Sequence, residues 1–109
     1  MALWHVTLTL GGDQVDTAVV LAALQRLADE QPFLLSGRYA GDRAELRYWE
    51  EADDCQDAAA MALRLWGEHR ASAELPPWTV LGLEIVDESV HRERGDAVSV
   101  MAVGGWRHF

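Results

Sequence analysis

The sequence contains a single cysteine, Cys55, so an internal disulfide is excluded. A domain without disulfides is typical of a reducing compartment, and we expect a cytoplasmic protein. The residues after Met1 form neither a basic region nor a small-residue cleavage site, which argues against a secretory signal. No apolar run approaches the roughly 18 residues that a membrane span requires. The sequence therefore predicts a soluble protein outside the membrane.

Lysine and asparagine are also absent, and all nine basic residues are arginines. Eighteen acidic residues outnumber them, which gives the chain a formal net charge of −9. Because nucleic-acid binding depends on Lys and Arg side chains that neutralise phosphates, this charge is poorly suited to it. The same charge disfavours an anionic membrane surface. We expect neither nucleic acid nor a membrane as a partner.

The hydrophobic pattern divides the first 87 residues into six elements. Alternation with period two predicts strands, and apolar residues every three or four positions predict helices. Asp13 is the candidate cap of the first helix, and Pro32 ends that helix. The two-residue Gly41-Asp42 link predicts a hairpin. The predicted strands cover 3–10, 33–40, 43–50 and 78–87, and the second predicted helix runs from the acidic residues at 50–57 to Arg70.

This order of elements predicts an α+β fold with the ferredoxin-like, split β-α-β arrangement. Right-handed crossovers place both helices on one face of an antiparallel sheet. Residues 1–87 form this domain, and 88–109 follow as a C-terminal turn and an apolar strand or arm. Residues 88–95 are charged and turn-like, whereas 97–103 are apolar with strand character. We expect the arm to pack on the domain or on a partner.

Two helices on one side leave the other side of the sheet, called the open face below, without a helical cover. In the second strand the pattern places Phe33, Leu35 and Tyr39 toward the core and Leu34 away from it. In small domains an open face that mixes charged and apolar groups often pairs with a second copy or binds a ligand. Its predicted members are His5, Thr7, Thr9, Ser36, Arg38, Glu45, Arg47, Trp49, Val80, Glu84 and Val86.

Two histidines are candidates for acid/base chemistry. His5 is predicted on the open face, where Arg47 beside it would form a polar pair, or where it is simply a partly solvated strand residue. His69 lies on the apolar stripe of the second helix, where a core histidine or a helix C-terminal cation is the structural alternative. The two are expected on opposite sides of the sheet. The candidate ligand or interface residues are Trp49, Arg38, Glu84, Trp106 and Phe109.

Acidic residues crowd the start of the second helix, and oxygen-rich clusters can bind Mg²⁺ or Ca²⁺. Their spacing is not that of a calcium-binding loop, and the helix dipole alone favours carboxylates at this end. Cys55, among these carboxylates, is expected to be inert. Phosphate-loop, zinc and nucleophile-elbow motifs are missing, so we expect no metal and no cofactor. The acidic residues are Glu50, Glu51, Asp53, Asp54 and Asp57.

The element order over residues 1–87 resembles that of small uncharacterised bacterial proteins with a ferredoxin-like fold, and no named functional family matches. It is also similar to small-molecule-sensing regulatory modules, which bind ligands at dimer interfaces, and to dimeric α+β-barrel proteins. Some of the latter are cofactor-independent oxygenases or isomerases. RNA-recognition motifs share the fold, but their third-strand signature is not matched by residues 43–48.

These observations lead to two hypotheses about function, and they leave open whether the protein is an enzyme. The first is a non-catalytic module that self-associates as a homodimer, because the open face and the apolar tail need cover. The alternative is a small-molecule-binding protein or cofactor-independent enzyme of the dimeric α+β-barrel type, with His5, Arg47 and Trp49 around a pocket. A third hypothesis is an adaptor whose residues 106–109 dock into another protein.

Overall fold

The computed structural model of the protein describes residues 2–31, 34–94 and 105–109. None of the helices in these ranges is long and apolar enough to cross a membrane. The elements follow the predicted order over the first 87 residues, and a short helix and a further strand come after them. In chain order they are β1 (Ala2–Gly11), α1 (Thr17–Glu30), β2 (Leu34–Tyr39), β3 (Arg43–Ala52), α2 (Cys55–His69), β4 (Thr79–Asp87), α3 (Glu88–Glu93) and β5 (Gly105–His108).

The strands form one sheet in the order β4-β1-β3-β2-β5. β1 lies between β4 and β3 and is antiparallel to both, β2 is antiparallel to β3, and β5 is parallel to β2. The sheet is therefore mixed, and the predicted α+β class is confirmed.

The core lies between the sheet and the two long helices. Val6, Leu8 and Leu10 alternate along β1 and are fully buried, as the period-two pattern predicts. They form one cluster with the buried stripes of α1 and α2, which include Leu24 and Leu65. Both long helices therefore cover the same face of the sheet, and the residues between these positions in β1 point to the open face.

Each helix begins at an aspartate whose carboxylate accepts a hydrogen bond from a backbone N–H in the first turn. Asp16 caps α1 through the N–H of Ala18 at 2.8 Å, so the prediction that Asp13 is the cap was wrong. Asp54 caps α2 through the N–H of Asp57, also at 2.8 Å. One residue of the acidic cluster, Asp54, thus satisfies a helix N–H group that has no intrahelical acceptor.

A bulge in β4 reverses the predicted side-chain direction of Val80. Thr9 of β1 lies opposite Gly82, but Leu10 lies opposite Val80, so Leu81 is the extra residue. Val80 therefore packs against the core, and its predicted place on the open face was wrong. Leu81 is left with 64% of its surface exposed.

A second irregularity lies in β2, where Leu34 pairs with Tyr48 and Ser36 pairs with Arg47. Leu34 packs against the core, so the prediction that it faces away from the core was wrong, while Tyr39 packs there as predicted. Phe33 and the side chain of Leu35 lie outside the described residues. Strict alternation cannot locate such a shift, because a bulge changes the side-chain direction without changing the strand-like composition.

The segment predicted as a charged turn over 88–95 instead contains helix α3. Asp87 caps this helix by accepting a hydrogen bond from the N–H of Val90 at 2.7 Å. Glu88 and Arg92, four residues apart, form an ion pair at 3.0 Å on its exposed side. A cap followed by such a pair supports even a short helix, and the turn prediction overlooked both.

The C-terminal strand β5 pairs with β2 of the same chain, whereas the apolar stretch predicted over 97–103 lies outside the described residues. In this pairing Trp106 lies beside Gly37, and its ring packs against the core. Phe109 follows at the end of the sheet, where the guanidinium of Arg38 lies 5.0 Å from the centre of its ring.

Candidate functional site

Helix α3 covers one end of the open face through His91. The imidazole of His91 stacks on that of His5 in β1, with the ring centres 4.0 Å apart and the planes 24° from parallel. Trp49 of β3 meets both rings edge-on, at 5.2 Å from His5 and 5.0 Å from His91. Only 4% of His5 and 8% of His91 remain exposed. These three residues, the aromatic cluster below, hold α3 on the sheet.

A groove of about 150 Å³ lies beside the aromatic cluster, between the end of α3 and the open face. Thr7 of β1 forms its floor, with Arg47 opposite on β3 and Glu84 opposite on β4. Antiparallel pairing places these three side chains side by side although they are far apart in the sequence. We call this site the α3 groove, and its lining residues are His5, Thr7, Arg47, Glu84, Val86, His91 and Arg94.

Ion pairs organise the charged residues in and around the α3 groove. Arg94, just after α3, contacts Glu84 at 3.2 Å. On the neighbouring strands Glu45 accepts hydrogen bonds from Arg38 at 3.1–3.3 Å and contacts Arg47 at 3.7 Å. The side chains of Arg38 and Arg94 are 50% exposed and that of Arg47 is 39% exposed. Such pairs contribute little to stability, and their side chains can change partners.

The structure brings several of the predicted site residues together. His5, Arg47 and Glu84 line the α3 groove, and Trp49 packs beside it in the aromatic cluster. Arg38 lies on the same face but does not line the groove. It contacts Glu45, which also contacts the groove residue Arg47.

The sequence prediction missed His91 and Arg94, which complete the groove, because it assigned their segment to a turn. The signal that could have identified α3 is an N-cap aspartate followed by the i,i+4 pair of Glu88 and Arg92.

The remaining candidate residues lie elsewhere. Trp106 packs on the helix side of the sheet, away from the groove. Phe109 lies at the opposite edge of the open face, near Arg38 and Arg43. Cys55 is exposed at the first turn of α2, and its thiol is free. Within the described parts of the chain, no three His, Cys, Asp or Glu side chains are grouped closely enough to hold a metal ion.

His69 belongs to a separate cavity on the helix side of the sheet. Its Nδ1 lies 2.7 Å from Oε1 of Glu30, and the hydroxyl of Ser72 donates to the same oxygen at 2.6 Å. These hydrogen bonds lower the pKa of Glu30 below its usual value, and the bond from Ser72 has the larger effect. Because an ionised carboxylate only accepts hydrogen bonds, Nδ1 of His69 carries the proton in this pair.

The cavity beside His69 has a volume of about 190 Å³ and is bordered by α2, the end of α1 and β3. Glu50 lines it, and burial raises the pKa of its carboxyl group. Burial also raises the pKa of Tyr48, whose hydroxyl has no hydrogen-bond partner among the residues described. Glu68 adds a second carboxylate and Arg64 a guanidinium, so this cavity has two carboxylates and one arginine, whereas the α3 groove has two arginines and one carboxylate.

Comparison with known proteins adds one match. The model of a family described as a domain of unknown function (DUF8830) matches residues 3–101, which is all of the chain except its first two and last eight residues. No curated protein matches the chain.

Proposed function

The chain belongs to the DUF8830 family, and we propose that it is a non-catalytic module that binds a small molecule in the α3 groove. One observation carries this proposal: the groove gathers two guanidiniums, two imidazoles, a hydroxyl and a carboxylate from four separate elements. Ligand sites in general place a few polar groups around a concave surface.

Binding is proposed in preference to catalysis because the lining groups suit recognition. The guanidiniums of Arg47 on β3 and Arg94 just after α3, and the hydroxyl of Thr7 on β1, are hydrogen-bond donors. The rings of His5 and His91 face each other, and their contact fixes α3 on the sheet. In this proposal the histidines position the groove, and the donors contact the ligand.

We also propose that residues 1–87 have the ferredoxin-like architecture. The order β4-β1-β3-β2 in the sheet and the two long helices on one face support this. The net charge of −9 and the free Cys55 support a cytoplasmic protein that binds neither nucleic acid nor membranes.

A variant pair tests the proposed site. Thr7→Tyr places a large side chain on the floor of the groove, whereas Thr9→Tyr changes the next residue on the same face of β1, outside the lining. A library of small polar and charged molecules is screened against the ¹⁵N-labelled protein by NMR. We expect molecules that shift the amides of Thr7, Arg47 and Arg94 to bind the Thr9→Tyr protein and to lose binding to the Thr7→Tyr protein.

Shifts scattered over the surface, or centred on the cavity beside His69, would contradict this assignment. A ligand that binds the Thr7→Tyr variant as well as it binds the wild type would also contradict it. Both variant proteins are compared with the wild type by circular dichroism, so that a loss of fold is not taken for a loss of binding.

Self-association as a homodimer is a second candidate, and the outer strand β4 favours it. β4 has β1 as its only described neighbour, and Leu81 on it is 64% exposed. Edge strands with exposed apolar residues are templates for pairing with another chain. Light scattering at micromolar concentration is expected to give a dimer mass for the wild type and for Leu63→Arg on α2, and a monomer mass for Leu81→Arg. A monomeric wild type would exclude this candidate.

A further inference from the structure

We propose that the α3 groove selects an oxyanion, the carboxylate or phosphate group of a small organic molecule. This inference rests on the proposed binding function and names the chemical class of its ligand. It is carried by the charge of the open face, by the incomplete pairing of Arg47 and by the place of Arg94 across the groove.

The open face is rich in arginine although the chain as a whole is strongly acidic. Of the chain's nine arginines, five lie on this face or at its rim, and three carboxylates contact them. Glu51, opposite Leu3 in β1, is a fourth carboxylate on this face. The five arginines still outnumber the four carboxylates on a protein whose net charge is −9, which favours an anion there over other surfaces. The arginines are Arg38, Arg43, Arg47, Arg94 and Arg107, and the carboxylates that contact them are Asp42, Glu45 and Glu84.

Arg47 is the less satisfied of two arginines that share one carboxylate. Arg38 contacts both oxygens of Glu45 through two of its nitrogens, at 3.1–3.3 Å. Arg47 reaches the same carboxylate only through Nε at 3.7 Å, beyond ordinary hydrogen-bond distance. Its guanidinium carries five donors, and 39% of the side chain is exposed at the groove. A planar oxyanion fits two of these donors at once.

Arg94 supplies a second cation from the other side of the groove. The register places Arg47 and Glu84 on either side of Thr7, two strand spacings or roughly 10 Å apart. Arg94 contacts Glu84 at 3.2 Å, and both side chains are at least half exposed. Because such an exposed pair is weak, an oxyanion can draw the guanidinium of Arg94 toward Thr7. The hydroxyl of Thr7 then offers a further donor on the floor.

The size of the groove limits the ligand. Its volume of about 150 Å³ is well below the roughly 300–1,000 Å³ of pockets for drug-sized molecules. A small acid or the anionic head of a longer molecule fits this space. The cavity beside His69, where Glu50 and Glu68 accompany the guanidinium of Arg64, is less suited to the same group.

Two probe anions test the inference at constant ionic strength. Succinate and inorganic phosphate are titrated into the ¹⁵N-labelled wild-type protein, with succinamide as the uncharged analogue of succinate. We expect one or both anions to shift the amides of Thr7, Arg47 and Arg94 saturably, and succinamide to bind at least about tenfold more weakly. Which anion binds more tightly distinguishes a carboxylate site from a phosphate site.

Charge-matched variants separate the groove from general electrostatics. Arg47→Gln and Arg94→Gln are expected to weaken binding of the preferred anion by about tenfold or more. Arg64→Gln removes the same charge from α2, where Arg64 pairs with Glu68, and should leave the affinity within about twofold. Equal losses in all three variants, or saturable anion binding centred on α2, would overturn the inference.

The outcome also distinguishes this inference from the proposed function. If uncharged molecules from the library bind the α3 groove while succinate and phosphate do not, the binding site stands and the oxyanion assignment is wrong. If no molecule of either kind shifts the groove amides, both proposals are wrong.

Discussion

Replacing Trp66 with alanine is expected to lower the free energy of unfolding by about 3–5 kcal/mol. Trp66 of α2 is 3% exposed, and its ring is parallel to that of Trp78, with the centres 6.1 Å apart. Its Nε1 donates a hydrogen bond to the carbonyl of Pro76 at 2.9 Å inside the protein. The substitution leaves a large cavity and removes one of two hydrogen bonds to the Pro76 carbonyl, which still accepts from the N–H of Trp78 at 2.7 Å, so the lost packing dominates the effect.

Leu63→Ala on the same helix is the matched control. Leu63 is 53% exposed, so we expect its truncation to change the free energy of unfolding by less than about 0.5 kcal/mol. Urea denaturation followed by circular dichroism measures both variants. Similar free energies of unfolding for Trp66→Ala and Leu63→Ala would show that the core does not lie between α2 and the sheet.

Gly37→Ala in β2 is expected to cost about 1–3 kcal/mol and to loosen β5. A Cβ atom at position 37 would come within 2.4 Å of the carbonyl oxygen of Glu45 and 2.5 Å of the Trp106 ring. Real Cβ atoms do not approach other heavy atoms so closely, so either the ring or the strands must move. Urea denaturation gives the loss of stability. The difference in tryptophan fluorescence between the variant and the wild type reports on Trp106, because its ring lies against position 37.

Gly82→Ala in β4 separates this steric effect from the general effect of replacing a glycine. A Cβ atom at position 82 would come no nearer than 3.8 Å to any other group, the side chain of Thr9. We therefore expect Gly82→Ala to be neutral or to stabilise the protein by up to about 1 kcal/mol. Equal destabilisation by the two alanines would mean that Trp106 does not pack on Gly37.

Much of the fold could be predicted from the sequence because local patterns encode it. The alternation in β1 and the apolar stripes of α1 and α2 identify buried faces without knowledge of neighbours. The two bulges could not be found in this way, since the directions of Val80 and Leu34 depend on how neighbouring strands pair. The exposure of Leu81 is a direct consequence of the first bulge.

The candidate site was only partly predictable because it is built by contacts across the sheet. His5, Arg47 and Glu84 were assigned to one face by alternation, but their adjacency depends on the order of the strands. The positions of His91 and Arg94 depend on α3, whose six residues are too few to show a helical period of apolar residues. The stacking of His91 on His5 then covers part of a face that was predicted to have no helix on it.

A crystal structure of the protein grown with succinate, or with phosphate if that anion binds more tightly in solution, would show directly what the α3 groove binds. We predict an oxyanion on Thr7 between the guanidiniums of Arg47 and Arg94, with the ring of His91 stacked on His5. A structure in which α3 does not pack on His5 would contradict this prediction. So would an empty groove with the anion bound beside α2 on the other side of the sheet.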